Sequence, residues 1–299
     1  MKKYAIYAFM LVTLSNGIVS CGDNKNTDNA DAVTQYPGYE LVWNDEFDIP
    51  GTPASHWNYE HGFVRNQELQ WYQSENAIVE DGCLVITGKV EDVDNPQYDP
   101  ESDDWRRNRE KARYTSSCLT TSDSFAFKYG RLEVRAKIPV ASGSWPAIWT
   151  LGNKYQWPRN GEVDVMEFYR RDEPIILANA CWQGEGWDVE WDESTTPLTH
   201  FKEPDPDWAE KFHTWRMDWS PDSINIYLDG ELLNDIPLAP AANGGGENRD
   251  VNPFSNDDPD FGHYILLNLA LGGNGGTPDE AAFPLRYEVD YVRVYKKID

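Results

Sequence analysis

The chain has 299 residues, with 26 lysines and arginines against 51 aspartates and glutamates, and a formal net charge of −25 at pH 7. Binding to phosphates requires a basic surface, so this charge argues against nucleic acid as a partner and disfavours a polyanionic ligand. Without the first 37 residues, which have the sequence of a signal peptide and a tether, about 260 residues remain, the size of one large domain.

The first twenty residues have the pattern of a lipoprotein signal peptide. Lys2 and Lys3 form a charged start, residues 4–19 are mostly apolar, and Cys21 follows a lipobox-like Ile-Val-Ser. We therefore expect cleavage before Cys21 and lipidation of that residue, with an ordinary cleaved signal as the alternative. Residues 21–37 are polar and predict a flexible tether. The protein would then be lipid-anchored in the cell envelope, on the outer membrane facing the cell surface or, alternatively, in the periplasm.

Residues 38–299 have the patterns of a single all-β domain. Residues 131–138 alternate charged and apolar side chains, which predicts a strand with one buried and one solvated face. A second alternating segment runs into Asp229–Gly230, a hairpin turn signal. Only the neighbourhood of Trp208–His213 looks helical. The sequence therefore favours a β-sandwich.

Two polar stretches predict long loops, at residues 91–113 and 243–260. The first contains a basic island at residues 105–113. That island has two interpretations, as a surface facing a binding cleft or as a solvated loop whose charge balances Asp103 and Asp104.

The cysteines after Cys21 lack the spacing of metal ligands. Cys83 and Cys118 lie in strand-like segments and are expected to be buried thiols. An odd number cannot all pair internally, and one disulfide among Cys83, Cys118 and Cys181 remains an open alternative.

Three carboxylates lie within six residues of an otherwise apolar segment, Gly161–Phe168. Because side chains of a strand alternate between faces, Glu162 and Asp164 share a face, whereas regular alternation would turn Glu167 away. A β-bulge at Val165–Met166 would return Glu167 to that face, and bulges are frequent beside active sites. The segment thus predicts a row of three acids.

Like charges this close cannot all ionise freely, so at least one carboxyl group should keep its proton to an unusually high pH. A protonated acid beside an ionised one suits glycoside hydrolysis, in which one carboxylate attacks the sugar and another protonates the leaving oxygen. Asp164, in the middle, could hydrogen-bond either neighbour. From spacing alone, a calcium site and a solvated acidic face remain alternatives.

Tryptophan is abundant, with 13 Trp and 16 Tyr in the chain. Trp145, Trp149 and Trp157 precede the acids, and Trp182 follows them in a polar segment. The apolar faces of sugar rings pack on aromatic rings, so these residues are candidates for sugar binding. Core packing is the alternative for each of them.

With Trp145-Pro-Ala-Ile-Trp149 ahead of it, the acid segment resembles the active-site strand of glycoside hydrolase family 16, in its laminarinase-like, bulged E-x-D-x-x-E form. The resemblance runs from about Gly38 to Tyr295. It also rests on residues 43–47, 66–72, 129–137 and 289–295, which are similar to other family strands and to its N-E-L-Q-Y-Y element. It implies a concanavalin A-like β-jelly-roll of two curved antiparallel sheets with an open cleft, which needs no cofactor for catalysis.

The resemblance also implies roles for individual residues. Glu162 corresponds to the nucleophile, Glu167 to the general acid/base and Asp164 to an assisting residue. The resemblance also implies that five residues bind the substrate: Trp145, Trp149, Asn66, His263 and Asn274. Asp290 matches a residue that helps many family members to bind a structural calcium, with backbone oxygens near Glu46 and Gly82.

Three functions are compared. The first is an endo-β-1,3(4)-glucanase of laminarinase type, favoured by residues 66–72 and by an uncharged substrate. The second is an endo-β-galactosidase acting on poly-N-acetyllactosamine, mucin O-glycans or a galactan, because residues 168–171 depart from the glycine that many family glucanases have after the acids. The third is a non-catalytic glycan-binding protein, against which the three intact acids argue. A monomer is expected.

Overall fold

The computed structural model describes residues 33–170, 172–245 and 249–298. The predicted signal peptide, Cys21 and most of the tether lie outside the described residues. Within the described ranges, no helix is both long enough and apolar enough to cross a membrane.

Ten of the described strands form one large sheet. They are β1 (Tyr39–Asp45), β3 (Gln70–Tyr72), β4 (Ala77–Glu80), β5 (Cys83–Asp94), β6 (Lys111–Ser116), β8 (Gly130–Lys137), β13 (His213–Trp219), β14 (Ser223–Leu228), β15 (Glu231–Pro237) and β17 (Leu285–Lys297). Their order is β15-β14-β13-β8-β17-β5-β6-β3, with β1 paired to β17 and β4 to β5. The β3–β6 ladder is parallel.

Seven further strands form the second sheet, in the order β12-β11-β10-β9-β16-β7-β2. They are β2 (Asn58–Tyr59), β7 (Cys118–Thr120), β9 (Ser144–Gly152), β10 (Glu162–Arg170), β11 (Pro174–Gln183), β12 (Val189–Pro197) and β16 (His263–Leu271). The acid segment is strand β10, which pairs with β9 on one side and β11 on the other. The predicted all-β jelly roll of two sheets is confirmed.

The main core lies between the two sheets. Strand β8 contributes Leu132, Val134 and Ala136, which are fully buried, as the alternation in residues 131–138 predicts. From the other sheet, β16 contributes Ile265 and Leu267. Burying these aliphatic side chains supplies the main driving force that holds the sheets together.

The predicted hairpin turn lies between β14 and β15. Asp229 and Gly230 have φ of 49° and 88°, the two positive values of the type I′ turn that suits the twist of a hairpin. The helical expectation around Trp208 corresponds to a single 3₁₀ turn, Trp208–Glu210, whereas the short helix α1, Leu198–Lys202, was not predicted.

The cysteines and the first long loop are partly as expected. Cys118 is a buried free thiol, as expected, and Cys181 is also free and buried. Cys83 is buried but disulfide-bonded, so the expectation of a thiol there is wrong, and neither Cys118 nor Cys181 is its partner. The alternative of one disulfide among these three is therefore wrong.

Because β5 runs to Asp94 and β6 begins at Lys111, the loop predicted at residues 91–113 is shorter, at residues 95–110.

Candidate active site

Strand β10 presents its three carboxylates on the face turned away from the core. The ladder with β11 shifts register between Asp164, which pairs with Asn179, and Glu167, which pairs with Leu177. Two residues of β10 therefore oppose one of β11, which is the geometry of a β-bulge. As a result Glu162, Asp164 and Glu167 all line one cavity.

Burial and mutual repulsion control the charges in this row. Asp164 is 2% exposed, and burial, followed by the charges of Glu167 and Glu162, raises its pKa well above the usual range. Burial and then the charge of Glu167 raise the pKa of Glu162 to about 7. A hydrogen bond with Asp164 opposes that rise, as expected when a protonated Asp164 donates to an ionised Glu162. Near neutral pH the row therefore combines a neutral acid with a carboxylate that can accept or release a proton.

Aromatic donors hold the two outer carboxylates. The indole Nε1 of Trp145 donates to Oε1 of Glu167 over 2.9 Å, and the hydroxyl of Tyr169 donates to Oε2 over 3.3 Å. On the other outer acid, Nε1 of Trp157 donates to Oε2 of Glu162 over 2.9 Å. Both carboxylates are thus oriented by side chains that also line the cavity.

The cavity above the acid row has a volume of about 650 Å³. Polar and aromatic groups converge in it, as in sites that bind sugars. Its lining includes five of the predicted substrate-binding residues, Asn66, Trp145, Trp149, Trp157 and Asn274.

Two predicted substrate-binding residues lie elsewhere. Trp182 is adjacent in β11 to Cys181, which pairs with Glu162, so alternation turns Trp182 into the core, where it packs edge-on against Phe254 at 6.4 Å. His263 is fully buried and 3.0 Å from Oγ1 of Thr150. Burial lowers the pKa of His263 to about 3, so the ring is neutral. Both expectations of sugar contact are wrong.

Trp149 lines the cavity without offering an open ring face there. The guanidinium of Arg65 lies 5.0 Å from the centroid of the Trp149 ring, and Nε1 of Trp149 donates to Oδ1 of Asn268 over 2.7 Å. Asn268 in turn donates to the hydroxyl of Tyr72 over 3.0 Å. Trp149 is therefore a fixed wall of the cavity, and Arg65 contributes a partly buried cation beside it.

Sequence reasoning missed several cavity residues. Tyr169 could have been found, because it lies two residues after Glu167 on the same face of β10. Trp191 could not, because it reaches the site by pairing with Cys181 in a ladder that requires the strand order. The polar and aromatic lining residues that were missed are Arg65, Glu68, Tyr169, Trp191 and Asn268.

The expected calcium position does not have a suitable donor set. Oδ2 of Asp290 accepts from Nη1 of Arg135 over 2.6 Å, and Glu46 forms a two-point ion pair with Arg293 at 2.8 and 2.6 Å. Arginine already neutralises both carboxylates, whereas Ca²⁺ requires several oxygens that are available to it. Within the described residues no cluster of three or more acidic, His or Cys side chains could hold a metal.

The structure combines two packed β-sheets, an aromatic cleft and a row of oriented carboxylates. This combination is typical of glycoside hydrolases. Residues 65–245 match the model of glycosyl hydrolases family 16. The chain belongs to that family.

Curated relatives agree with this assignment. The chain is 32% identical to a β-glucanase of Rhodothermus marinus, over 90% of each chain. It is 34% identical to glucan endo-1,3-β-glucosidase A1 of Niallia circulans, over 87% of this chain and 38% of that protein. The chain therefore spans less than two fifths of the second relative's length.

Two solved structures have the same fold. The laminarinase catalytic domain of Thermotoga maritima superposes with a TM-score of 0.69 at 34% identity, covering 87% of this chain and 99% of that one. A structure described with endo-acting O-glycanases, which prominent members of the human gut microbiota express to initiate mucin breakdown, superposes with a TM-score of 0.77 at 34% identity, covering 89% and 94%.

Proposed function

We propose that the protein is an endo-acting, retaining hydrolase of β-linked polysaccharide, and specifically an endo-β-1,3(4)-glucanase of laminarinase type. The observation that carries the proposal is the oriented acid row, in which Trp157 holds Glu162 and Trp145 holds Glu167 on one face of β10. Glucanases among its relatives support the choice of substrate.

The proposed chemistry uses the two outer acids in turn. The Glu162 carboxylate attacks the anomeric carbon while Glu167 gives its proton to the departing glycosidic oxygen, which breaks the C–O bond and forms a glycosyl–enzyme ester. Water then attacks the same carbon, Glu167 takes the proton of the water, and Glu162 leaves as a carboxylate. Asp164, protonated and hydrogen-bonded to Glu162, assists by stabilising that carboxylate whenever it is free.

A second candidate is an endo-acting hydrolase of mucin O-glycans or of a related galactose-containing glycan. The observation in its favour is the TM-score of 0.77 with the O-glycanase structure, against 0.69 with the Thermotoga laminarinase at the same identity of 34%. Sugar preference depends on loop side chains that read single hydroxyl groups, so the two candidates share the acid row and differ around it.

The deciding experiment is analysis of the products released by the purified protein from laminarin, mixed-linkage β-glucan, agarose, porphyran, keratan and mucin O-glycans. Oligosaccharides from the two glucans support the glucanase proposal. Products from keratan or mucin alone would replace it with the second candidate, and binding without products would leave a glycan-binding protein. The anomer released first, read by NMR, tests retention of configuration.

The same test needs variants that separate chemistry from folding. Glu162→Gln and Glu167→Gln should each lower turnover by about a thousandfold or more, because each removes one half of a two-carboxylate mechanism. Circular dichroism and thermal unfolding establish that both variants fold. Wild-type turnover in both would rule out the assigned roles.

We also propose that the protein is a monomer anchored to the outer membrane through a lipid on Cys21, facing the cell surface, with the periplasm as the alternative. The charged start, the apolar run and the lipobox-like sequence support this. Labelling cells with a radioactive fatty acid tests it, since Cys21→Ser should lose the label and leave the membrane fraction. Protease added to intact cells distinguishes the two locations.

A further inference from the structure

We propose that the loop between β5 and β6 is a positioning element for the cleft, in which Arg106 and Arg109 hold the segment 64–68 in the conformation that presents Asn66 to the substrate. The link to substrate rests on the proposed function. We call the hydrogen bonds from Arg106 and Arg109 to residues 64–68 the clamp. The clamp rests on contacts within the described residues.

The segment that is held is strained. Asn66 and Gln67 have φ of 55° and 53°, so two consecutive residues other than glycine adopt the left-handed conformation. Each such residue is energetically unfavourable and persists only when surrounding contacts require it. Asn66 and Glu68 both line the cavity, so the strain lies in a wall of the cleft.

Arg106 and Arg109 donate hydrogen bonds that can hold the backbone of this segment in its strained conformation. Nη1 and Nη2 of Arg109 donate to the carbonyls of Glu68 and Gln67 over 2.7 and 3.1 Å. Nε and Nη2 of Arg106 both donate to the carbonyl of Val64, over 3.0 and 2.8 Å. A planar guanidinium can make such paired bonds, whereas a lysine ammonium cannot reproduce their geometry.

The clamp is itself built rigidly. Both guanidinium groups pack on the Trp105 ring, with the Cζ of Arg106 at 4.8 Å and that of Arg109 at 4.9 Å from its centroid. Buried Asn95 donates to the backbone carbonyls of Arg106 and Arg109, over 2.8 Å in each case. The solvated-loop interpretation of the basic island is borne out in part, because exposed Arg106 pairs with Asp104 at 3.3 Å. In addition, Arg106 and Arg109 bind the backbone of the cleft wall.

The held segment fixes one polar group of the cleft. Nδ2 of Asn66 donates to Oε1 of Glu68 over 3.3 Å, and Gln70 donates to the other oxygen of that buried carboxyl over 2.6 Å. With one N–H of its amide held by Glu68, Asn66 is oriented so that its amide oxygen is available as an acceptor for a sugar hydroxyl. Loss of the clamp should therefore weaken substrate binding, whereas Glu162 and Glu167 keep their hydrogen bonds from Trp157 and Trp145.

The test compares Arg109→Ala with Arg107→Ala in the full chain. Arg107 is the matched control, because it lies in the same loop and pairs with Asp99 on the surface at 3.1 Å. Arg109→Ala should raise KM about tenfold with kcat within about twofold, the result expected when the competent conformer falls to about a tenth of the population. Arg109→Lys should recover little of this loss, and Arg107→Ala should match the wild type.

Two further measurements separate the clamp from a general loss of stability. Gln67→Gly, added to Arg109→Ala, should lower KM again, because glycine adopts the left-handed conformation without strain. Hydrogen exchange at residues 64–68 should accelerate in Arg109→Ala and stay unchanged in Arg107→Ala. Unchanged exchange and KM in Arg109→Ala would overturn the clamp. A wild type that cleaves no glycan would instead overturn the proposed function, with the exchange result still deciding the clamp.

Discussion

Trp157 donates its indole N–H to the carboxylate of Glu162 over 2.9 Å, although the side chain remains 46% exposed to solvent. A residue on the rim of the cleft thus acts directly on the proposed nucleophile. A sugar that packs on this ring would also contact the group that lowers the pKa of Glu162.

Trp157→Phe tests this link through the pH profile. Glu162 must be ionised to attack, so kcat/KM of the wild type should rise with pH through about 7, the raised pKa of this group. The hydrogen bond from Trp157 lowers that pKa, so its removal should move the acidic limb upward by about one pH unit. Trp191→Phe is the control, since Trp191 lines the same cavity. If the acidic limb of the kcat/KM profile does not move in Trp157→Phe, the hydrogen bond from Trp157 does not control the pKa of Glu162.

Glu162→Gln should stabilise the protein as it inactivates it. The folded pKa of Glu162, about 7, exceeds the unfolded value, so the unfolded state loses its proton first and stability falls as pH rises toward 7. The Glu162→Gln variant has no carboxylate at this position, so its stability does not fall with pH in this way. Its gain in unfolding free energy should be small near pH 4 and reach about 3 kcal/mol above pH 7. Urea unfolding at several pH values measures it, with Glu185→Gln as an exposed control. A gain in stability that does not depend on pH would show that burial does not raise the pKa of Glu162.

Tyr169→Phe removes a donor to Oε2 of Glu167 and keeps the ring in the cleft. We expect kcat on polysaccharide to fall about tenfold with little change in KM, because the acid/base loses orientation and the sugar loses no ring contact. The effect should be much smaller on an aryl glycoside whose leaving group departs without protonation. Tyr155→Phe, on an exposed ring that packs against Phe261, controls for loss of a hydroxyl. Equal losses on both substrates would mean that Tyr169 does not act through Glu167.

Gly161→Ala tests the turn that delivers the acid row. Gly161 has φ of 73°, and an added Cβ would lie 2.8 Å from both Phe254 and Pro253. Strain and crowding together should cost about 2–4 kcal/mol of stability. Gly230→Ala is the matched control, because its φ is 88° and the space around its Cβ is open. It should show the strain alone, measured by urea unfolding of both variants. Equal losses would mean that contact with residues 253 and 254 is unimportant.

Local patterns were sufficient to predict the strands and the acid row. Alternation in β8 and the Asp229–Gly230 turn are properties of short segments, and a strand must expose every second residue. The row of acids followed from the same rule, since placing Glu167 beside Asp164 requires one extra residue. These features depend on neighbours in sequence, which the chain displays directly.

Contacts between distant segments were not predictable in this way. Trp182 was assigned to the cleft because of its residue type and His263 because of the family resemblance, and both are buried because of their positions in β11 and β16. The clamp by Arg106 and Arg109 joins residues more than forty positions apart in sequence. Residue type predicts what a side chain can bind, and only strand order decides which face it occupies.

All three carboxylates of the acid row belong to a single strand flanked by β9 and β11, whereas part of the lining around them, at Asn66, Trp157 and Asn274, lies outside the strands. Reactivity and this part of recognition are therefore encoded in different segments of the chain. Mutations can remodel the loops during evolution while the strand stays constant, which allows relatives as different as β-glucanases and mucin O-glycanases to diverge from one ancestor without rebuilding the reacting groups.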